Sequence, residues 1–113
     1  MTARYATLLV ALTAAGCTSQ SDRELEAVKS ARSVLAEWAL VERQSAHGDA
    51  PANYTEQTRH LARDQLNTAQ SDLARFPQAA RVLEQARTGS PDPAKLKQAN
   101  STLEPLEKRL ESS

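Results

Sequence analysis

The sequence predicts an all-α fold, a small antiparallel bundle of three to four helices following an N-terminal signal peptide. Three observations predict it. Good helix formers (Leu, Ala, Glu, Gln, Arg, Lys) dominate the 113 residues, while aromatic residues supply only 4% and β-branched ones are scarce, so little favours strands. After residue 21, apolar residues recur at spacings of three and four, the mark of a helix with one buried face. Glycine and proline then punctuate the chain at Gly48 to Pro51, at Pro77 and at Gly89 to Pro93, which cuts it into helix-length pieces.

The totals set the limits. A chain of this length has room for one domain. Lys plus Arg number 14 and Asp plus Glu number 14, so no net charge draws it toward nucleic acid. Cys17 is the single cysteine, which excludes an intramolecular disulfide.

Residues 1–16 read as an export signal. Arg4 supplies a positive start, Tyr5 to Leu12 form an apolar run, and the small residues Thr13 to Gly16 lead into Cys17. The run is far shorter than the roughly 20 residues needed to span a bilayer. Leu12-Thr13-Ala14-Ala15-Gly16-Cys17 resembles the lipobox of bacterial lipoproteins. That resemblance implies a diacylglycerol on the Cys17 thiol, cleavage just before it and acylation of the new N-terminus. Ala14 departs from the family's preferred Leu. Two or three acyl chains would anchor the chain firmly, where one binds only marginally. Thr18, rather than Asp, follows the lipidated residue, and by resemblance to enterobacterial lipoproteins that implies the outer membrane of the cell envelope, facing the periplasm. Residues 17–21 then form the lipidated cysteine and a polar tether, and residues 22–113 the helical domain.

The first helix is predicted from Asp22 to Ala46, with Ser21 and Glu24 as a capping box. Val28, Ala31, Val34, Leu35, Trp38 and Val41 share its buried face, with Leu25 and Ala39 at the edges. Trp38 should be the largest single contributor to the core. Glu42 falls on this apolar face one turn beyond Trp38. Either the helix leaves the core there, the preferred reading, or Glu42 pairs with Arg59 or Arg63. Leu40 lies on the polar side and would mark a partner surface only if other exposed apolar groups joined it.

A second helix follows from a cap at Asn53 or Thr55 to about Phe76, forming a long hairpin with the first. Its apolar face is Tyr54, Leu61, Ala62, Leu66, Ala69, Leu73 and Phe76. A third runs from Pro77 to about Arg87, with Val82, Leu83 and Ala86 inward. The fourth starts with Asp92 as cap and Pro93 at its first position. Leu96, Ala99, Leu103, Leu106 and Leu110 form a narrow seam, and Pro105 within it predicts a kink or a restart near Ser101.

Candidate chemistry is sparse. Glu56, His60 and Asp64 stack at i, i+4 and i+8, and two carboxylates flanking an imidazole suit a metal or an oriented base. They lie opposite the apolar face, where charge rows ordinarily just solvate a helix. Apart from these weak metal candidates no cofactor is expected. No phosphate loop or nucleophile elbow occurs, and the chain is not expected to be an enzyme. The arginines of the middle helices are interleaved with acids, so no basic stripe forms.

The stretch Ala36 to Arg43, with Tyr54 and Ala62-Arg63-Asp64-Gln65-Leu66 downstream, is similar to small helical lipoproteins of unassigned role in some alphaproteobacteria. No activity follows from that resemblance. Two functions are therefore weighed. One is a membrane-anchored envelope lipoprotein with a structural or accessory role, held by lipidated Cys17 and binding an envelope protein or itself. The other is a periplasmic ligand- or metal-binding module using Glu56, His60 and Asp64.

Overall fold

The structure is a computed structural model and describes residues 19–112. The export signal and lipobox expected over residues 1–17, with Cys17, lie outside these residues. Four helices follow in order: α1 (Gln20–Ala46), α2 (Ala52–Asp72), α3 (Pro77–Thr88) and α4 (Pro93–Glu111). There is no strand among the described residues. The all-α bundle expected from composition and periodicity is what forms.

The helices close a ring in which α1 packs on α2 and most extensively on α4, while α3 bridges α2 and α4. Ion pairs show that α1 and α2 run antiparallel. Glu24, near the start of α1, meets Arg75 just past α2, and Glu42, near the end of α1, meets Arg59 near the start of α2.

Helix α1 begins two residues earlier than the sequence predicts. Ser19, not Ser21, is its cap, and its Oγ accepts from the Asp22 amide at 3.2 Å. Gln20 and Ser21 therefore belong to the helix rather than to a tether. Glu24 reaches no cap at all. It is 1% exposed and faces Arg75, because one helical turn separates it from Val28 on the buried face. The helix ends where Gly48, at φ +77°, takes a left-handed conformation. Its amide donates to Ser45 O and that of Asp49 to Gln44 O, at 3.0 and 2.8 Å. Those two bonds make a Schellman ending, a conformation that suits glycine.

Helix α2 starts at Ala52, with Pro51 in the cap position, and neither Asn53 nor Thr55 caps it. Thr55 is instead buried inside the first turn, where its Oγ1 donates to Pro51 O at 3.2 Å. The helix stops at Asp72 rather than Phe76, since Pro77 has no amide to donate and restricts the residue before it. Its buried line is Thr55, Ala62, Leu66, Ala69 and then Leu73. Tyr54 and Leu61, expected inside, are 50% and 52% exposed. Each precedes a member of that line by one residue, a rotation of about 100°.

Helix α4 has the predicted Asp92 cap, whose side chain accepts from the Ala94 amide at 3.0 Å. It runs unbroken through Pro105, so the predicted restart does not occur. Pro105 and Ser101 are both exposed. The Ser101 carbonyl, which loses its usual donor to the proline, can therefore be hydrated.

One core results. Val28, Leu35, Trp38, Leu66, Leu73 and Leu83 are completely buried, and Leu96 and Leu103 nearly so. Trp38 is the largest of the fully buried side chains.

Candidate functional site

The buried face of α1 is a heptad seam: Glu24, Val28, Ala31, Leu35, Trp38 and Glu42 follow one another by four, three, four, three and four. A carboxylate closes it at each end. Leaving a charge unpaired in an apolar seam is costly, and α2 with the turn after it brings an arginine to each.

At the hairpin turn Glu42 is 5% exposed. Arg59 grips it with two parallel hydrogen bonds, Nε to Oε2 at 2.7 Å and the second guanidinium nitrogen to Oε1 at 2.9 Å. Trp38 Nε1 donates to the same Oε2 at 2.8 Å. Glu42 therefore does not leave the core, the preferred sequence reading, but pairs with the arginine of the next helix. Burial pushes its carboxyl upward, but the donors Arg59 and Trp38 outweigh that and hold it below its ordinary value. Arg63, the other partner considered, stacks on Trp38 with its Cζ 5.4 Å from the ring centre. Its Nε donates to Arg87 O at 3.1 Å, which ties α2 to the last turn of α3.

At the far end Arg75 forms a second fork on Glu24, with Nε to Oε2 at 2.9 Å. The hydrogen bonds from Arg75 are the chief cause holding the Glu24 carboxyl below its ordinary value, against desolvation. Arg75 itself is half exposed and lies over Phe76, 5.0 Å from the ring centre. Along α1, Arg32 reaches across to α4, donating to Asn100 Oδ1 at 2.7 Å and to Glu107 Oε1 at 2.9 Å. No buried side-chain nitrogen or oxygen lacks a partner among the described residues. Carboxylates clamped this way are held ionised and are poor proton acceptors at neutral pH. Their work is to register the helices.

The stacked triplet of α2 is placed otherwise. Glu56 turns to Arg59, 3.2 Å away. His60 Nε2 lies 3.9 Å from Asp64 Oδ2, and both side chains are almost fully solvated, at 81% and 73% exposure. Among the described residues no group of three or more His, Cys, Asp or Glu is arranged to hold a metal ion. Millimolar zinc is accordingly expected to leave the melting temperature unchanged, equally in wild type and His60→Ala. A rise in wild type that His60→Ala abolishes would restore the metal reading.

The Glu24–Arg75 clamp escaped the sequence reading. The signal was present: Glu24 and Glu42 occupy equivalent ends of one strict heptad seam. A cap assignment for Glu24 hid it. Leu40, Tyr54 and Leu61 meet along the outer cleft between α1 and α2, so Leu40 does join other exposed apolar groups.

Compared with protein-family models, with curated proteins and with solved structures, the chain matches none of them.

Proposed function

We propose that the chain is a lipid-anchored lipoprotein of the bacterial cell envelope whose helical bundle serves a structural or protein-binding accessory role. The observation that carries this reading is the run Leu12 to Cys17 placed directly behind the apolar stretch Tyr5 to Leu12. Small residues before the cysteine suit the narrow cleft of a signal peptidase, and the thiol is the group that takes the lipid. The start of α1 fits the same picture. Only Thr18 separates Cys17 from the capping Ser19, so the bundle would sit close to the lipid surface. Two or three acyl chains there suffice for stable anchoring. The site proposed for the envelope is the outer membrane, on its periplasmic face.

A binding role is supported by the exposed Leu40, Tyr54 and Leu61 sharing one cleft, since clustered apolar groups on a small surface commonly mark contacts. The clamped carboxylates, by contrast, are spent on holding the fold.

The deciding measurement is the intact mass of protein extracted from membranes, for wild type and Cys17→Ser. The expected wild-type mass is residues 17–113 plus acyl chains, with the acyl mass lost in the variant. A wild-type chain without acyl mass, or one retaining Met1, would overturn the reading.

A further inference from the structure

Three large apolar side chains stand half exposed among the described residues: Leu40, Tyr54 and Leu61. All three line the outer cleft between α1 and α2, where Glu37 is the one charged side chain and Gln44, Gln57 and Gln65 supply much of the polar lining. Past Gln65 the cleft continues toward the start of α1, along Leu25, Ala27 and Ala69. That stretch carries Asp22, Glu26 and Asp72 against Arg23. The face therefore has no excess of positive charge, and any contact it makes is apolar rather than electrostatic.

What such a face meets follows from the tether. Only Thr18 lies between Cys17 and Ser19, the cap of α1, and two residues reach at most ~7 Å. A helix lying on a surface holds its axis about 5–6 Å above it, within that reach. With α3 and α4 laid against the lipid instead, α1 would ride higher by one helix spacing, about 8–10 Å, and the tether would fall short. A bundle on its side must therefore turn down a face that contains α1. On the flank shared with α4, Arg32 is paired with Glu104 and Glu107, charges that would lose hydration against lipid. The flank shared with α2 carries Leu40, Tyr54 and Leu61. An upright bundle standing on the start of α1 would instead hold Leu40 about 30 Å from the lipid and leave all three side chains in water.

We propose that the α1–α2 face lies on the lipid surface that holds Cys17, with Leu40, Tyr54 and Leu61 set into the headgroup boundary. The inference rests on the lipid anchor proposed above, and it makes lipid, not a protein, the occupant of this cleft. Tyrosine suits that depth, with an apolar ring and a hydroxyl that stays wet. Three side chains suffice for such an interfacial contact, because the tether keeps the surface at a high effective concentration. Helices α3 and α4 then form the side turned away from the lipid.

The test uses acylated protein in vesicles of zwitterionic phosphatidylcholine containing a lipid with a nitroxide on its headgroup. Cys17 is the single cysteine and carries the lipid, so an introduced cysteine is the one free thiol for a fluorescent label. Gln57→Cys places the label in the cleft, and Ser101→Cys places it on an exposed position of α4. The Gln57 label is expected to be quenched several-fold more strongly than the Ser101 label. Leu61→Glu should abolish that difference, while circular dichroism shows the bundle still folded. Equal quenching at the two positions, or a difference that survives Leu61→Glu, overturns the proposal. So does cross-linking of two copies through Gln57→Cys, which would make a second copy the occupant. The intact mass of the same sample separates the two readings. Acylated protein with equal quenching sinks the lipid contact alone, and protein without acyl mass sinks the anchor and the contact with it.

Discussion

Trp38→Ala is expected to destabilise the bundle by about 3–5 kcal/mol, the range for removing a fully buried large aromatic. Trp38 has no exposed surface and touches three sources of stability at once. It fills the core, donates to Glu42 at 2.8 Å and carries Arg63 on its ring. Small domains hold only about 5–15 kcal/mol in all, so the variant should be largely unfolded at 37 °C. Trp38→Phe separates the contributions. It keeps most of the volume and removes the Nε1 donor, and about 1–3 kcal/mol is expected for one lost bond to a buried carboxylate. Urea unfolding followed by circular dichroism reads both variants. A loss under ~1 kcal/mol for Trp38→Ala would mean that the aromatic ring is not the centre of the core.

Arg59→Ala is expected to cost about 3 kcal/mol at pH 7, toward the lower end for breaking a buried pair because Arg59 remains partly in water. The guanidinium provides two of the three donors to Glu42. Once it is gone, the carboxylate stays covered with a single partner. Arg59→Lys should recover part of the loss, since an ammonium cannot reproduce the planar fork.

The pH dependence has a definite sign. Glu42 and Glu24 both titrate below 4.5 in the folded chain, whereas the unfolded chain binds their protons near the ordinary value. Their contribution is therefore complete above about pH 4.5 and is lost as pH falls through the lowered folded values. Stability should be level from pH 7 down to about 5 and then fall. Arg59→Ala removes the donors but not the burial, so the folded Glu42 carboxyl moves upward. The gap between variant and wild type should shrink in acid. Denaturant midpoints measured from pH 3 to pH 7 show this directly. A gap that stays constant throughout would mean that Arg59 stabilises by packing its stem rather than by its charge.

Much of the fold was legible in the line of residues. The helix breaks at Gly48 to Pro51, at Pro77 and at Gly89 to Pro93 fall where proline and glycine chemistry puts them, and the Asp92 cap forms as read. The α1 stripe from Val28 to Val41 is buried throughout. What failed did so mostly where a contact distant in sequence decides. Ser19 and Ser21 are equally good caps in isolation, but Ser19 takes the role and Glu24, read as the partner of a Ser21 cap, is buried against Arg75 instead. Tyr54 and Leu61 are apolar enough to belong to a core. The buried line of α2 is instead set one residue further on, where Ala62 and Leu66 meet α1. Pro105 carries a helix-breaking residue's reputation, yet its exposed position lets water take the place of the missing bond.

The candidate site divides the same way. The lipobox proposed around Cys17 would be read by enzymes from an extended chain, so its signal lies in sequence order alone. The spacing of Glu56, His60 and Asp64 was equally visible, but whether three side chains converge depends on which way their helix is turned.

By itself, then, the amino-acid order determined the helix class, the approximate breaks between helices and the core face of α1. These follow from periodicity and backbone chemistry, which act over a few residues. Only the tertiary structure decided that Glu42 and Glu24 stay inside and that Tyr54 and Leu61 go outside. Each of those outcomes turns on a partner far away in sequence. A buried charge is tolerated only when another helix brings an arginine to meet it, and no local pattern records that meeting.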